Sequence, residues 1–250
     1  MLPILQIGPM AFPVPAFSLL LAFWLGLSLA EKFTAKHGVS ANALNNLVIT
    51  GVIAGLIAAR LGYVLQFPSA FIQSPLSLFS PNPGLFDPFS AMAGALLGLL
   101  VYGQRARLGF WNTLDALTPL LTVMAVGLAI AHIASGEAFG AETSLPWGIE
   151  LWGARRHPSQ FYELIGAAII LLLLVRRAKA EIPAGILFLN FAALTAGMRL
   201  FLETFRGDSN LLWGGIRFAQ IVAWLVLAVA LFSQERIRSQ IKKYEESQNG

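Results

Sequence analysis

Long apolar runs, broken by short polar stretches, dominate the chain. One helix needs about 20 mostly apolar residues to cross a bilayer, with a range of roughly 17–25. Runs of this kind predict membrane-spanning helices over residues 14–30, 45–67, 89–103, 114–134, 159–176, 184–203 and 215–233. The third is short and rich in Ala91, Ala93, Gly94, Ala95 and Gly98; small side chains let helices approach closely in lipid. The pattern therefore predicts an all-α, polytopic membrane protein of about seven transmembrane helices. Residues 1–233 read as a single membrane domain and 234–250 as a basic, polar tail. Two segments break the pattern. Residues 66–88 lack Lys and Arg, carry many Phe, Pro and Ser, and read as a broken interfacial arm. Residues 135–158 form the longest polar segment, with Glu137, Glu142, Glu150, Arg155, Arg156 and His157.

Composition agrees: 56% of residues are hydrophobic and 12% charged, where a soluble domain carries roughly 25% charged residues. No Lys or Arg precedes the first run, so it reads as a retained span and not as a cleaved leader, which would need a basic n-region. There is no cysteine, which excludes disulfides, thiolate metal sites and a cysteine nucleophile. No cofactor and no metal are expected.

Charge sets the orientation, because basic residues collect on the cytoplasmic side. Lys32 and Lys36 follow the first span, Arg105 and Arg107 the third, and Arg176, Arg177 and Lys179 the fifth. Arg236, Arg238, Lys242 and Lys243 lie in the tail. These are eleven of the 17 basic residues, and they place the N-terminus outside and the C-terminus in the cytoplasm. The net charge of +4 thus reads as a topology signal, and no nucleic acid partner is expected.

Six arginines remain: Arg60, Arg155, Arg156, Arg199, Arg206 and Arg217. In the predicted topology Arg60, Asp87, His132, His157, Gln160, Tyr162, Glu163, Arg199, Glu203 and Arg206 all fall near outer helix ends. Charged residues within spans are costly and usually face the bundle interior with a partner. Arg199, Glu203 and Arg206 follow an i, i+4, i+7 spacing, one helix face. The planar, permanently charged guanidinium suits a phosphate, so the cluster suits an anionic phospholipid head. The alternative is that Arg60 and Arg199 pair with Glu163 or Glu203 only to hold the bundle together. His37 reads as a solvated loop residue, Pro158 as a first helical residue, and Trp147, Trp152 and Trp213 as interfacial belt residues. A small-solute transporter would carry polar groups at the midplane; these spans are nearly free of charge there.

At these same residues the chain resembles the phosphatidylglycerol–prolipoprotein diacylglyceryl transferase family. Arg156-His157-Pro158-Ser159-Gln160-Phe161-Tyr162-Glu163 is similar to that family's R-H-P-S-Q-L-Y-E. Ala59-Arg60-Leu61-Gly62-Tyr63-Val64-Leu65 resembles its G-R-[LI]-G-Y-V-L, and Arg199 to Arg206 its R-x-x-x-E-x-x-R. Asp115 through Pro119, Leu145-Pro146-Trp147 and Glu137-Ala138-Phe139-Gly140 also match, and the matches run collinearly from about residue 8 to 233. There are departures. Ala129 stands where the family signature has arginine, His132 where it has asparagine, and Ala93 where the H-G-G motif has a histidine proposed as a base.

The resemblance implies a seven-span protein of the bacterial inner membrane, N-terminus out. It would move the diacylglyceryl group of phosphatidylglycerol to the lipobox cysteine of a prolipoprotein signal peptide. It implies Arg199, His132 and His157 as catalytic residues, with His132 or His157 as base. It implies Arg60, Tyr63, Glu137, Gly140, Arg156, Gln160, Tyr162, Glu163, Glu203 and Arg206 as substrate-binding residues. The departures leave a second reading: a non-catalytic, lipid-binding relative serving as a structural or accessory subunit of a membrane protein complex.

Overall fold

The computed structural model describes residues 3–80, 82–212 and 215–248. The helices are α1 (Val14–Glu31), α2 (Ala41–Gln66), α3 (Pro68–Gln73), α4 (Pro88–Arg105), α5 (Phe110–Ser135), α6 (Ser159–Arg177), α7 (Ile186–Glu203) and α8 (Phe218–Gln248). Two antiparallel hairpins, which hydropathy did not reveal, join them: β1 (Ile4–Ile7) with β2 (Met10–Pro13), and β3 (Ile149–Leu151) with β4 (Ala154–Arg156). Six helices, α1, α2, α5, α6, α7 and α8, are long and apolar enough to cross a membrane. The protein is therefore a polytopic, helical membrane protein. The predicted third span forms as α4, but Pro88 at one end and Tyr102 to Arg105 at the other keep it out of those six. α8 runs without a break past residue 233, so the polar tail is helical. Trp213 lies outside the described residues.

The chain divides into two compact units. The smaller, residues 38–113, holds α2, α3 and α4. Ser40 caps α2, its Oγ accepting from the Ala43 amide at 3.1 Å. Asp87 caps α4 through the Ser90 amide at 2.7 Å, and these bonds with Ser90 hold its carboxyl below the usual range. α2 and α4 pack closely because glycines line the seam. A Cβ at Gly94 would meet Ala58 and come within 2.8 Å of the Ala54 carbonyl; one at Gly98 would lie 2.7 Å from Ala54. Between α2 and α4 lie α3 and two 3-10 turns, Pro75–Phe79 and Pro83–Leu85. Arg60 holds this segment. Its Nε donates to the Leu78 carbonyl at 2.8 Å, one terminal nitrogen to Leu85 at 2.9 Å and the other to Ser77. The rings of Phe71 and Phe86 stand 5.6 and 5.2 Å away.

The larger unit, residues 1–37 and 114–250, holds α1, nearly all of α5, and α6 to α8. α1 and α5 meet at small residues: Gly127 faces Ala22, and Gly26 faces Leu120. Phe33, Ile170, Leu174, Ala178 and Leu187 form a buried cluster at the ends of α1, α6 and α7. Pro119 inside α5 cannot donate. The buried hydroxyls of Thr118 and Thr122 are satisfied within the helix, on Leu114 at 2.9 Å and Thr118 at 2.6 Å, as a lipid environment demands. Asp115 is fully buried and caps α7, accepting from the amides of Gly185 at 2.6 Å and Phe188 at 2.8 Å. Gly185 can take its left-handed φ of 91° at this cap because it lacks a Cβ. The expectation that His37 is a solvated loop residue does not hold. His37 is buried, with Nδ1 3.9 Å from the Asp115 carboxylate. Burial lowers its affinity for a proton, with the Asp115 charge opposing that and Lys36 adding to it. Pro158 is the cap residue before α6 and not its first helical residue.

Candidate functional site

The polar segment after α5 folds back over the ends of α6 and α7. Trp152 and Gly153 both have positive φ, 54° and 76°, the backbone of a tight two-residue turn between β3 and β4. Residues 139–143 run beside β4, with the Thr143 amide bonded to Arg155 and the His157 amide to Ala141, both at 2.9 Å. On their other side lie residues 205–207: Ala141 donates to Phe205 and Gly207 to Phe139, both at 2.8 Å. Gly140 is therefore enclosed between two backbones. A Cβ there would strike the His157 carbonyl and come within 2.7 Å of the His157 Cβ. Its absence of a side chain serves this packing.

Beneath this ribbon a narrow cleft of about 20 Å³ is lined by Ala138, Ser159, Glu163, Met198, Arg199, Leu202 and Arg206. Arg199 Nε lies 3.0 Å from Glu203 Oε2 across one turn of α7, and Glu203 is 1% exposed. That contact is an ion pair without the alignment of a hydrogen bond. The terminal nitrogens of Arg199 make no hydrogen bond among the described residues, and its side chain is 36% exposed. Glu163, on the first turns of α6, has Oε2 2.8 Å from His132 Nδ1, on the last turn of α5. Ser159 Oγ is tied to the Ala138 carbonyl at 2.6 Å.

The other arginines are occupied. Arg206 forms a fork on Asp208, at 2.9 and 2.8 Å. Arg217 donates to the carbonyls of Glu203 and Arg206 and to Ser209 Oγ, fastening the turn after α7. Arg156 bonds Leu151 at 3.1 Å, Gly140 at 3.4 Å and Glu142 at 3.3 Å, and lies over the Phe139 ring. Arg155 bonds Pro146 at 2.6 Å and Gly148 at 3.4 Å.

Two apolar grooves share residues with the cleft. One of about 640 Å³ follows α7 from Phe188 to Arg199, between α5 and α8, with Glu163 and Arg199 at its polar end. Another, of about 430 Å³, is lined by Trp147, His157, Tyr162, Met198, Phe201 and Phe205 among others. A separate groove of about 430 Å³ is lined by Ile130, Leu151, Gln160 and Phe161 among others.

The structure thus brings His132, Glu163, Arg199, Glu203 and Arg206 together. His157 and Tyr162 stand apart in the second groove: the His157 ring packs 5.2 Å from Phe205, and Tyr162 accepts from the Trp147 indole at 3.0 Å. Gln160 is buried and donates to the Glu137 carbonyl at 3.1 Å, while the Glu137 side chain is exposed. Arg60 and Tyr63 belong to the smaller unit, where Tyr63 packs on Phe67 at 4.8 Å. Ser159, Met198, Asp208 and the fastening role of Arg217 were not read from the sequence. Only Asp208, two residues beyond Arg206 in a Gly-Asp turn, left a signal there. Among the described residues no group of three or more His, Asp or Glu is placed to hold a metal.

Where the family signature has arginine, Ala129 is fully buried inside α5. The family described as prolipoprotein diacylglyceryl transferase matches residues 3–234. A phosphatidylglycerol–prolipoprotein diacylglyceryl transferase of Synechocystis sp. is 31% identical over 237 residues, 87% of this chain and 82% of the relative. One of Nostoc sp. is 29% identical, covering 91% of this chain and 86% of the relative. One of Clostridioides difficile is 30% identical, covering 80% of each. With the match spanning nearly the whole chain, through both units and the residues of the cleft, this protein belongs to the prolipoprotein diacylglyceryl transferase family.

Proposed function

We propose that this protein transfers the diacylglyceryl group of phosphatidylglycerol to the thiol of a prolipoprotein's lipobox cysteine. The reading also places it in the inner membrane with α4 as a seventh span, the N-terminus outside and the α8 tail in the cytoplasm. The observation that carries it is Arg199: a guanidinium with open terminal donors, at the polar end of a long apolar groove, in a chain of this family. A phospholipid has the same polarity, an anionic phosphate joined to apolar chains.

The reaction displaces a phosphate ester, so negative charge builds on the departing oxygen. Fixed donors aimed at that charge stabilise the transition state without reorganising. Arg199 supplies them, and buried Glu203 holds its Nε side so that the terminal nitrogens stay directed outward. Arg206 supports from the cleft wall when it exchanges Asp208 for phosphate. His132 and Glu163 complete the polar end.

The test is direct. Purified protein is incubated with radiolabelled phosphatidylglycerol and a lipobox peptide. The expected result is a labelled thioether product that requires the peptide's cysteine. Its absence, with the Synechocystis relative active in parallel, overturns the reading.

A further inference from the structure

We propose that His132, oriented by Glu163, is the general base that takes the proton from the acceptor thiol. The proposal rests on the transferase reading above and adds to it the group that generates the nucleophile. A free cysteine has a pKa of about 8.5, and only its thiolate is a competent nucleophile. A base near the cleft is therefore required, and histidine titrates in the right range.

The chain has three histidines. His37 lies against Asp115, seventeen residues before His132 on α5, which is about 25 Å at 1.5 Å per residue. His157 is packed between Phe205 at 5.2 Å and Tyr162 at 6.4 Å, and its Nδ1 is buried without a partner among the described residues. It lines the second groove, whose lining includes neither Arg199 nor Glu163. His132 differs on each count. Its Nδ1 is 2.8 Å from Glu163 Oε2, and the two side chains keep 17% and 16% of their surface open. A carboxylate only accepts, so the pair fixes the tautomer: the proton is on Nδ1 and the lone pair on Nε2. Among the described residues the ring is held through Nδ1, on Glu163. When Nε2 takes a proton, the imidazolium rests on a carboxylate already in place. Glu163 also lines the cleft and the long groove beside Arg199, so the carboxylate that orients the base shares a wall with the phosphate-binding group.

The step balances. The S–H proton moves to His132 Nε2. The thiolate sulfur attacks the glyceryl carbon that carries the phosphate, a C–S bond forms, and the C–O bond breaks with its electron pair on the phosphate oxygen. The proton on His132 passes to that oxygen, releasing glycerol phosphate and the neutral imidazole.

The test compares two acceptors, a cysteine lipobox peptide and the same peptide with selenocysteine, whose selenol is ionised at neutral pH without help. Loss of a general base costs on the order of 10²–10⁴ in rate. His132→Ala is expected to lose that factor with the thiol and less than tenfold with the selenol. His132→Asn keeps a hydrogen-bonding side chain against Glu163 and gives the same comparison if the alanine variant does not fold. For both variants, activity with the thiol should recover as pH rises towards 9. Glu163→Gln should lower the thiol rate and leave the selenol rate within tenfold of the wild type. Equal losses with both acceptors, or full thiol activity without His132, overturn the assignment. Wild-type protein that forms no thioether overturns the transferase reading instead.

Discussion

An arginine carries five donors in a rigid fork, and its role depends on what those donors meet. Arg60, Arg156 and Arg217 meet backbone carbonyls at turns; Arg199 meets one buried carboxylate and leaves its terminal nitrogens open. The sequence distinguishes none of these cases, because a carbonyl partner such as Ser77, Leu78 or Leu85 is set by the path of the chain and not by side-chain type. Arg199 and Arg60 should therefore fail differently. Arg199→Ala is expected to fold and to lose on the order of 10²–10³ in kcat/KM, the range for losing one group that stabilises developing charge. Arg60→Ala strips three carbonyls of their donor, each worth about 1–3 kcal/mol when left unsatisfied. Its first effect should be a lower unfolding midpoint in detergent. Activity assays and melting curves on the two variants check this; a normal midpoint for Arg60→Ala would remove its structural role. His132 and Glu163 illustrate the same limit. Both were visible as polar residues near helix ends, but 31 residues separate them in sequence, and only the packing of α5 on α6 makes them a pair.

Helices were legible because lipid selects them by a bulk property. Every predicted span overlaps a helix of the structure, and the errors fall at polar ends: α2 starts at Ala41 and α5 at Phe110, four residues before the apolar runs begin. Those first turns are set by the Ser40 cap and by the Gly109 turn, not by hydropathy. The β3–β4 hairpin was illegible because three-residue strands have no periodicity to detect, and its turn puts Trp152, an unusual residue there, at φ 54°. Packing between helices is legible only as composition. The Gly and Ala content of α4 suggested close contact, while the partner, α2, came from the structure. Gly94→Ala tests that contact, since the added methyl meets Ala58 and the Ala54 backbone, which cannot move aside as a flexible side chain would. Overpacking of this kind costs about 1–3 kcal/mol. Gly197→Ala in α7 is the matched control, with nothing within 4 Å of the new Cβ. Thermal unfolding should separate the two, with Gly94→Ala the less stable; equal midpoints would mean that α2 and α4 do not meet as described.

At the scale of the whole molecule, α4 decides how many times the chain crosses the membrane. Six helices qualify on length and hydropathy. Six alone, with α4 on the surface, would put the termini on one side and scatter the basic loops over both faces. Counting α4 gathers Lys32, Lys36, Arg105, Arg107, Arg176, Arg177, Lys179 and the basic residues of α8 on one face, the arrangement that insertion favours. It also places the His132, Glu163 and Arg199 end of the larger unit on the opposite face, where an exported prolipoprotein presents its cysteine. The absence of cysteine makes the natural chain a ready background for labelling. Single cysteines at Ser74 in the arm, Gln104 at the end of α4, Ser144 in the ribbon and Ser239 in α8 are exposed or intermediate in exposure and avoid the cleft. In intact spheroplasts a membrane-impermeant maleimide should label Ser74→Cys and Ser144→Cys. It should reach Gln104→Cys and Ser239→Cys only after the membrane is opened. Ser74 and Gln104 bracket α4, so labelling of both from the same side would show that α4 does not cross, and labelling of Ser239→Cys from outside would reverse the orientation.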